Sequence, residues 1–216
     1  MTPILLFVHG WGFDASVWSP LRAALKPDQD SMTWDLGYYG QPAQPVPPAN
    51  RPVIAVGHSL GVLWLLHHRP LPWRALVSIN GFPRFSKSAD FPEGVPSRLI
   101  ERMLARLHDA PVEVHGDFLA RCGLPAAHHP AAQSTNPLDV DALADGLIAL
   151  RDWDERAGTR IDLALAGRAD PIVSAAMTRA SFTGRPIEWQ DGGHLLPLTA
   201  PGWCADRLDH FLESFG

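Results

Sequence analysis

The sequence predicts an α/β fold, a mostly parallel sheet of about six strands with helices on both faces and a small helical cap. Three observations predict it. Short apolar runs alternate with helical spacing over residues 1–80, no convincing strand appears over 81–158, and the alternation resumes over 159–216. Such alternation gives parallel strands, because each return to the sheet crosses over a helix. The expected organisation is therefore a core in two pieces, 1–80 and 159–216, with 81–158 inserted as the cap.

Ile4 to Val8 is a continuous apolar run that stops at His9-Gly10-Trp11-Gly12, as a strand buried on both faces does. Ala15 to Lys26 has helical spacing, and Met32 to Leu36 reads as the second strand. Between Gln41 and Pro48 stand Pro42, Pro45, Pro47 and Pro48, which remove backbone donors and clash with a preceding turn, so a stiff loop is expected where a helix would otherwise lie. Val53 to Val56 is the third strand, Leu60 to His68 a helix and Ala75 to Ile79 the fourth strand. Helical spacing returns in Pro96–His108, Val112–Cys122 and Leu138–Trp153, separated by proline-containing joints. Ile161 to Ala166 and Pro186 to Gln190 are the last strands, and Gly202 to Phe215 the last helix.

Composition excludes several function classes. With 216 residues the chain is long enough for one domain with a real core, and its net charge of −5 comes without a dominant basic stripe, so nucleic acid is not an expected partner. No run approaches the roughly 18 apolar residues of a membrane helix, and the first apolar run lacks a basic leader, so neither a membrane anchor nor a signal peptide is expected. Two cysteines, Cys122 and Cys204, form no disulfide framework, which suits a reducing cytoplasm.

The chemistry concentrates at Gly57-His58-Ser59-Leu60-Gly61, where a strand pattern ends and a helical pattern begins. A serine on that turn is exposed to attack a substrate, and its flanking glycines let strand and helix pass each other. A hydroxyl needs a base and a group to orient the base. His194 follows the last strand, in Asp191-Gly192-Gly193-His194, and Asp170 follows the strand before it, so nucleophile, acid and base run in the order Ser, Asp, His. Asp191 is the rival partner for His194. An oxyanion needs backbone donors. The Leu60 amide, directly after the serine, is one, and Trp11 in the turn after the first strand is the expected second.

Together these stretches resemble the α/β-hydrolase family. Within it, His9–Trp18, Phe85–Pro92 and Gly146–Asp154 are similar to the pimeloyl-acyl-carrier-protein methyl ester esterases of biotin synthesis. The resemblance implies Ser59 as nucleophile, His194 as base, Asp170 as its partner, Trp11 and Leu60 at the oxyanion, and Phe118 in the acyl channel. It implies a carboxylesterase acting on a short to medium acyl methyl ester, either free or carried by an acyl carrier protein, with no cofactor. Two alternatives stay open: a hydroxynitrile lyase, which uses the same triad on this fold, and a non-catalytic ligand-binding member. The chain enters its first strand without the amino-terminal hairpin common in the family, hence about six strands.

The remaining candidates have competing readings. Phe118, Trp153 and Leu196 either shape an acyl pocket or are cap core. Arg98, Arg102 and Arg106 recur every four residues and share one helix face, which either meets an acidic carrier or a phosphate or is simply solvated. His9 is expected to brace its turn. Adjacent pairs His67-His68 and His128-His129 point apart on a helix and recur with no other ligand at metal spacing, so no metal is expected.

Overall fold

In the computed structural model, which describes residues 2–124, 136–158 and 160–215, six parallel strands form one sheet. They are β1 (Ile4–Val8), β2 (Ser31–Trp34), β3 (Val53–His58), β4 (Ala75–Ile79), β5 (Leu163–Gly167) and β6 (Ile187–Gln190), in the order β2-β1-β3-β4-β5-β6. β1 pairs with both β2 and β3, Val8 standing beside Trp34 on one side and Gly57 on the other. The chain therefore reverses its direction of travel across the sheet between β1 and β3. In open parallel sheets that is where a crevice forms above the carboxyl ends of the strands.

Strand residues feed two separate cores because successive side chains point to opposite faces. Leu5 and Phe7 of β1, with Ile54, Val56, Val77 and Leu165, pack against Trp18, Leu21, Cys204 and Leu208. These last four come from a 3-10 turn over Ala15–Trp18 and from helices α1 (Ser19–Ala24) and α8 (Pro201–Glu213). Leu6 and Val8, with Ala55 and Leu76, pack against Val62, Leu65 and Leu66 of α2 (Leu60–His68). The expected helix over 15–26 is thus a 3-10 turn followed by six α-helical residues; it stops where Leu25 turns extended two residues before Pro27, as chain preceding proline tends to do. The proline-rich stretch forms no helix, and Pro45 accepts the Trp34 indole N–H at 2.8 Å.

Between β4 and β5 lie α3 (Ser97–Leu107), α4 (Pro111–Arg121) and α5 (Val140–Asp152). Their inward residues, among them Ile100, Leu107, Val114, Leu143 and Leu147, build a third core with Trp11, Tyr38, Leu60 and Leu63. The turn after β1 and the start of α2 are therefore roofed by these helices. Two short helices, α6 (Ala175–Ser181) and α7 (Leu196–Thr199), flank β6. Among the described residues, no helix is long and apolar enough to cross a membrane.

Both cysteines are free and buried. Burial pushes the Cys204 thiol up to about 12, and burial followed by the charge of Asp170 pushes Cys122 higher still. A thiol held protonated is a poor nucleophile. Neither cysteine should react with Ellman's reagent in the folded protein at mildly alkaline pH, and both should react in guanidinium; fast labelling of the native state would show that the cores open.

Candidate active site

Ser59 sits between β3 and α2 with φ 53 and ψ −124, a left-handed conformation that costs a residue with a Cβ roughly 1–3 kcal/mol. The neighbours explain how it is held. A Cβ on Gly57 would lie 2.6 Å from the Val62 nitrogen, and one on Gly61 would strike the Val8 and His9 carbonyls. The Ser59 N–H donates to the Ile79 carbonyl at 3.2 Å, tying the turn to β4.

Asp170 and His194 meet. His194 Nδ1 lies 2.8 Å from Asp170 Oδ2, with the carboxylate side chain 1% and the imidazole 0% exposed. Asp170 Oδ1 accepts the N–H groups of Ile172 (2.7 Å) and Val173 (2.9 Å), so the carboxylate is fixed by three donors. Nδ1 must carry the proton it shares with Asp170, which leaves Nε2 bare. Nε2 is buried and has no hydrogen-bond partner among the described residues. Asp191 is 92% exposed and faces Arg168 at 3.4 Å, so it is not the group that meets His194.

β6 is an edge strand, separated from β3 by β5 and β4, and the loop carrying His194 returns toward Ser59 across the ends of those two strands. Gly167 at the end of β5 makes room: a Cβ there would lie 2.5 Å from the Gly192 carbonyl oxygen. Asn80 at the end of β4 clasps the loop. Its amide nitrogen donates to the carbonyls of Gly193 and His194, both at 2.8 Å, and its side-chain oxygen accepts the Gly167 N–H at 2.8 Å. Asn80 is buried with φ 49, a conformation asparagine tolerates better than most residues. His58 adds a third hold, donating from Nε2 to the His194 carbonyl at 2.9 Å, with the two rings 4.8 Å apart.

The turn after β1 lies against the serine, since a Cβ on Gly10 would come within 2.9 Å of Ser59 Cβ. His9 braces this turn: Nδ1 donates to the Gly10 carbonyl and Nε2 accepts the Leu36 N–H, both at 2.9 Å. The amides of Trp11 and Leu60 have no hydrogen-bond partner among the described residues. They remain available as donors.

Over Trp11 opens a cavity of about 350 Å³ whose apolar walls include Trp11, Phe85, Ile100, Phe118, Leu147 and Leu150, and whose charged lining is the exposed Arg102, Arg106, Arg121 and Asp117. Phe118 stands edge-on to Trp11 at 4.8 Å. The other two sequence candidates for substrate contact lie elsewhere. Trp153 stacks flat on His67 at 3.7 Å, because the extended backbone after α5 carries it to the far end of α2. Leu196 is buried in the sheet core at the start of α7. Arg98 does not line the cavity; Arg121, from α4, takes its place beside Arg102 and Arg106.

Among the described residues no group of three or more His, Cys, Asp or Glu gathers as a metal site, and His128 and His129 lie outside the described residues. Sequence reading passed over Asn80, Arg121 and His115. Only Asn80 carried a local signal, the Asn-Gly pair directly after an apolar strand.

No protein-family model matches the chain. It is 26% identical over 244 aligned positions to a pimeloyl-[acyl-carrier protein] methyl ester esterase of Xylella fastidiosa strain M23, covering 98% of this chain and 96% of the relative. Among solved structures, the esterase EaEST from Exiguobacterium antarcticum superposes with a TM-score of 0.82 at 16% identity, over 98% of this chain and 92% of that one. A hydrolase from Pseudomonas aeruginosa PA01 superposes with a TM-score of 0.75 at 21% identity, over 98% and 90%. The chain has the α/β-hydrolase fold.

Burial, reinforced by the adjacent His194 ring, lowers the His58 imidazole to about 3. An unfolded chain takes up that proton near the ordinary value of about 6.5. The folded state refuses a proton that the unfolded state binds, so this residue makes stability fall as pH drops from about 6.5 toward 3. Urea unfolding between about pH 7 and pH 4 should give a flatter pH dependence for His58→Gln than for the parent protein. Equal slopes would show that His58 is protonated in the fold.

Proposed function

We propose that this chain, an α/β-hydrolase fold, is a serine carboxylesterase working through an acyl-enzyme. The observation that carries the reading is the buried Asp170–His194 pair, with Nε2 bare and no partner among the described residues, next to a serine on a strained elbow. Ser59 Oγ attacks the ester carbonyl while His194 Nε2 takes its proton. Asp170 holds the ring in the tautomer with Nδ1–H and stabilises the imidazolium. The amides of Trp11 and Leu60 donate to the tetrahedral oxyanion, whose collapse expels the alcohol with a proton returned by His194. Water then repeats the sequence on the acyl-enzyme, with Nε2 again as base, and Ser59 is released.

The substrate reading is a short to medium acyl methyl ester. Residues 81–158 act as the cap that shapes its pocket. Support comes from the apolar walls of the cavity, which begin at Trp11 and Phe118, and from the substrate in the name of the Xylella relative. Three arginines against one aspartate at the lining favour an acidic carrier over a free ester, because complementary charge steers encounter. The acyl chain would enter past Phe118 while the carrier stays outside.

Ser59→Ala should lose about 10⁴-fold or more in hydrolysis of p-nitrophenyl esters, and its labelling by a fluorophosphonate, while keeping the parent's melting temperature. Retained turnover in that variant would sink the mechanism. Reversing charge with Arg102→Glu and Arg121→Glu should raise KM for a carrier-linked methyl ester about tenfold more than KM for the free ester, an effect that added salt on the parent enzyme should mimic. Equal KM changes for both esters would remove the carrier from the proposal.

A further inference from the structure

We infer that His115, on α4, is a positioning residue for the oxyanion donor at Trp11; this rests on the esterase reading above. His115 is 1% exposed, and its Nε2 lies 2.7 Å from the Gly12 carbonyl and 3.0 Å from the Tyr39 hydroxyl. The Tyr39 hydroxyl in turn lies 3.2 Å from the same carbonyl. A bare Nε2 so close to a carbonyl oxygen would set two acceptors against each other, so Nε2 carries the proton and donates to Gly12. Tyr39 donates to the second lone pair. The Gly12 carbonyl, one residue past the amide that faces the oxyanion, is thereby fixed by one donor from the inserted helices and one from the loop after β2.

Trp11 itself is held by the same helices. Its indole N–H donates to the Leu143 carbonyl of α5 at 2.8 Å, its ring meets Phe118 of α4 edge-on, and a Cβ on Gly146 of α5 would lie 3.0 Å from its Nε1. Gly12 has φ +72, which glycine adopts without strain, and with no side chain of its own to anchor it the turn takes its rigidity from neighbouring groups. His9 secures the turn from the sheet side through Gly10 and Leu36. The sheet thus fixes one end of the four-residue turn His9–Gly12, and His115 with Leu143 fixes the other. A donor N–H stabilises an oxyanion only while it is aimed at it, and a displacement of about 1 Å costs roughly 10²-fold.

The test compares His115→Phe, which keeps a ring and removes the donor, with His115→Gln, which restores an N–H donor. Three readouts are taken: kcat and KM on p-nitrophenyl butyrate, inhibition by a trifluoromethyl ketone, and hydrogen exchange of the peptide spanning His9 to Phe13. The phenylalanine variant should lose about tenfold or more in kcat with KM nearly unchanged, weaken the ketone by a similar factor and exchange faster in the turn. The glutamine variant should recover most of each. A folded His115→Phe with parental kcat, a loss confined to KM, or no difference between the two variants overturns the inference. If His115→Phe does not fold, Tyr39→Phe withdraws the second donor and should show the same pattern more weakly; its absence overturns the inference equally. Parent protein that hydrolyses no ester defeats the esterase reading and the catalytic half of this one, whereas unaltered exchange in His115→Phe defeats the tie alone.

Discussion

Everything at this site depends on one crossing. His194 follows the edge strand β6 and Ser59 follows β3, three positions inward, so the loop after β6 has to run back over the ends of β5 and β4. A loop laid across strand ends buries carbonyls that the sheet does not satisfy, and each one left unpaired costs about 1–3 kcal/mol. Asn80 answers that cost with both atoms of one amide, two carbonyls on one side and the Gly167 N–H on the other. Its left-handed backbone is the condition for reaching them. The same residues that satisfy the crossing also fix the height of His194, which is why the elbow, the clasp and the Asp170–His194 pair form one unit.

That unit is nearly saturated. His9 uses both ring nitrogens on backbone groups, Asp170 takes three donors, and Asn80 spends every atom it has. Against this background, two buried imidazole nitrogens lack partners among the described residues, His58 Nδ1 and His194 Nε2. They differ in kind. His58 faces the aromatic rings of Phe13 and Trp18 and stays neutral, so its bare nitrogen is a tolerated loss that keeps Nε2 as a donor to the loop. His194 belongs to the pair whose carboxylate can stabilise an imidazolium, so its bare nitrogen is where a proton can arrive.

What the sequence made legible follows from how far each signal reaches. Strand and helix positions rest on spacing within a dozen residues, and α2, β1 and β4 lie where periodicity put them. Ser59, Asp170 and His194 were legible as candidates because each occupies a fixed address relative to a strand end. The pocket was not, because its walls come from helices that meet only after packing. Arg121 joins Arg102 and Arg106 from a different helix, and Trp153 leaves the cluster because three residues past Leu150 the chain is already extended. His115 was invisible for the same reason: its partner Gly12 lies 103 residues away. Leu196, two residues from His194, could by sequence face either a substrate or the core, and its helix turns it into the sheet core.

Gly146 shows how closely the two halves of the molecule are fitted. Hydrogen is the only substituent that lets α5 approach Trp11 and the Tyr38 hydroxyl, so the helices inserted between β4 and β5 are seated on the turn after β1. On the proposed function, in which these helices wall the acyl pocket and the turn donates to the oxyanion, specificity and rate are not separable modules in this chain. A pocket grafted from a relative, or a helix shuffled in to accept a longer acyl group, would import a new seat for Trp11 along with its new walls. Recombination at this insertion would have to carry the turn and the helices together as one inherited piece.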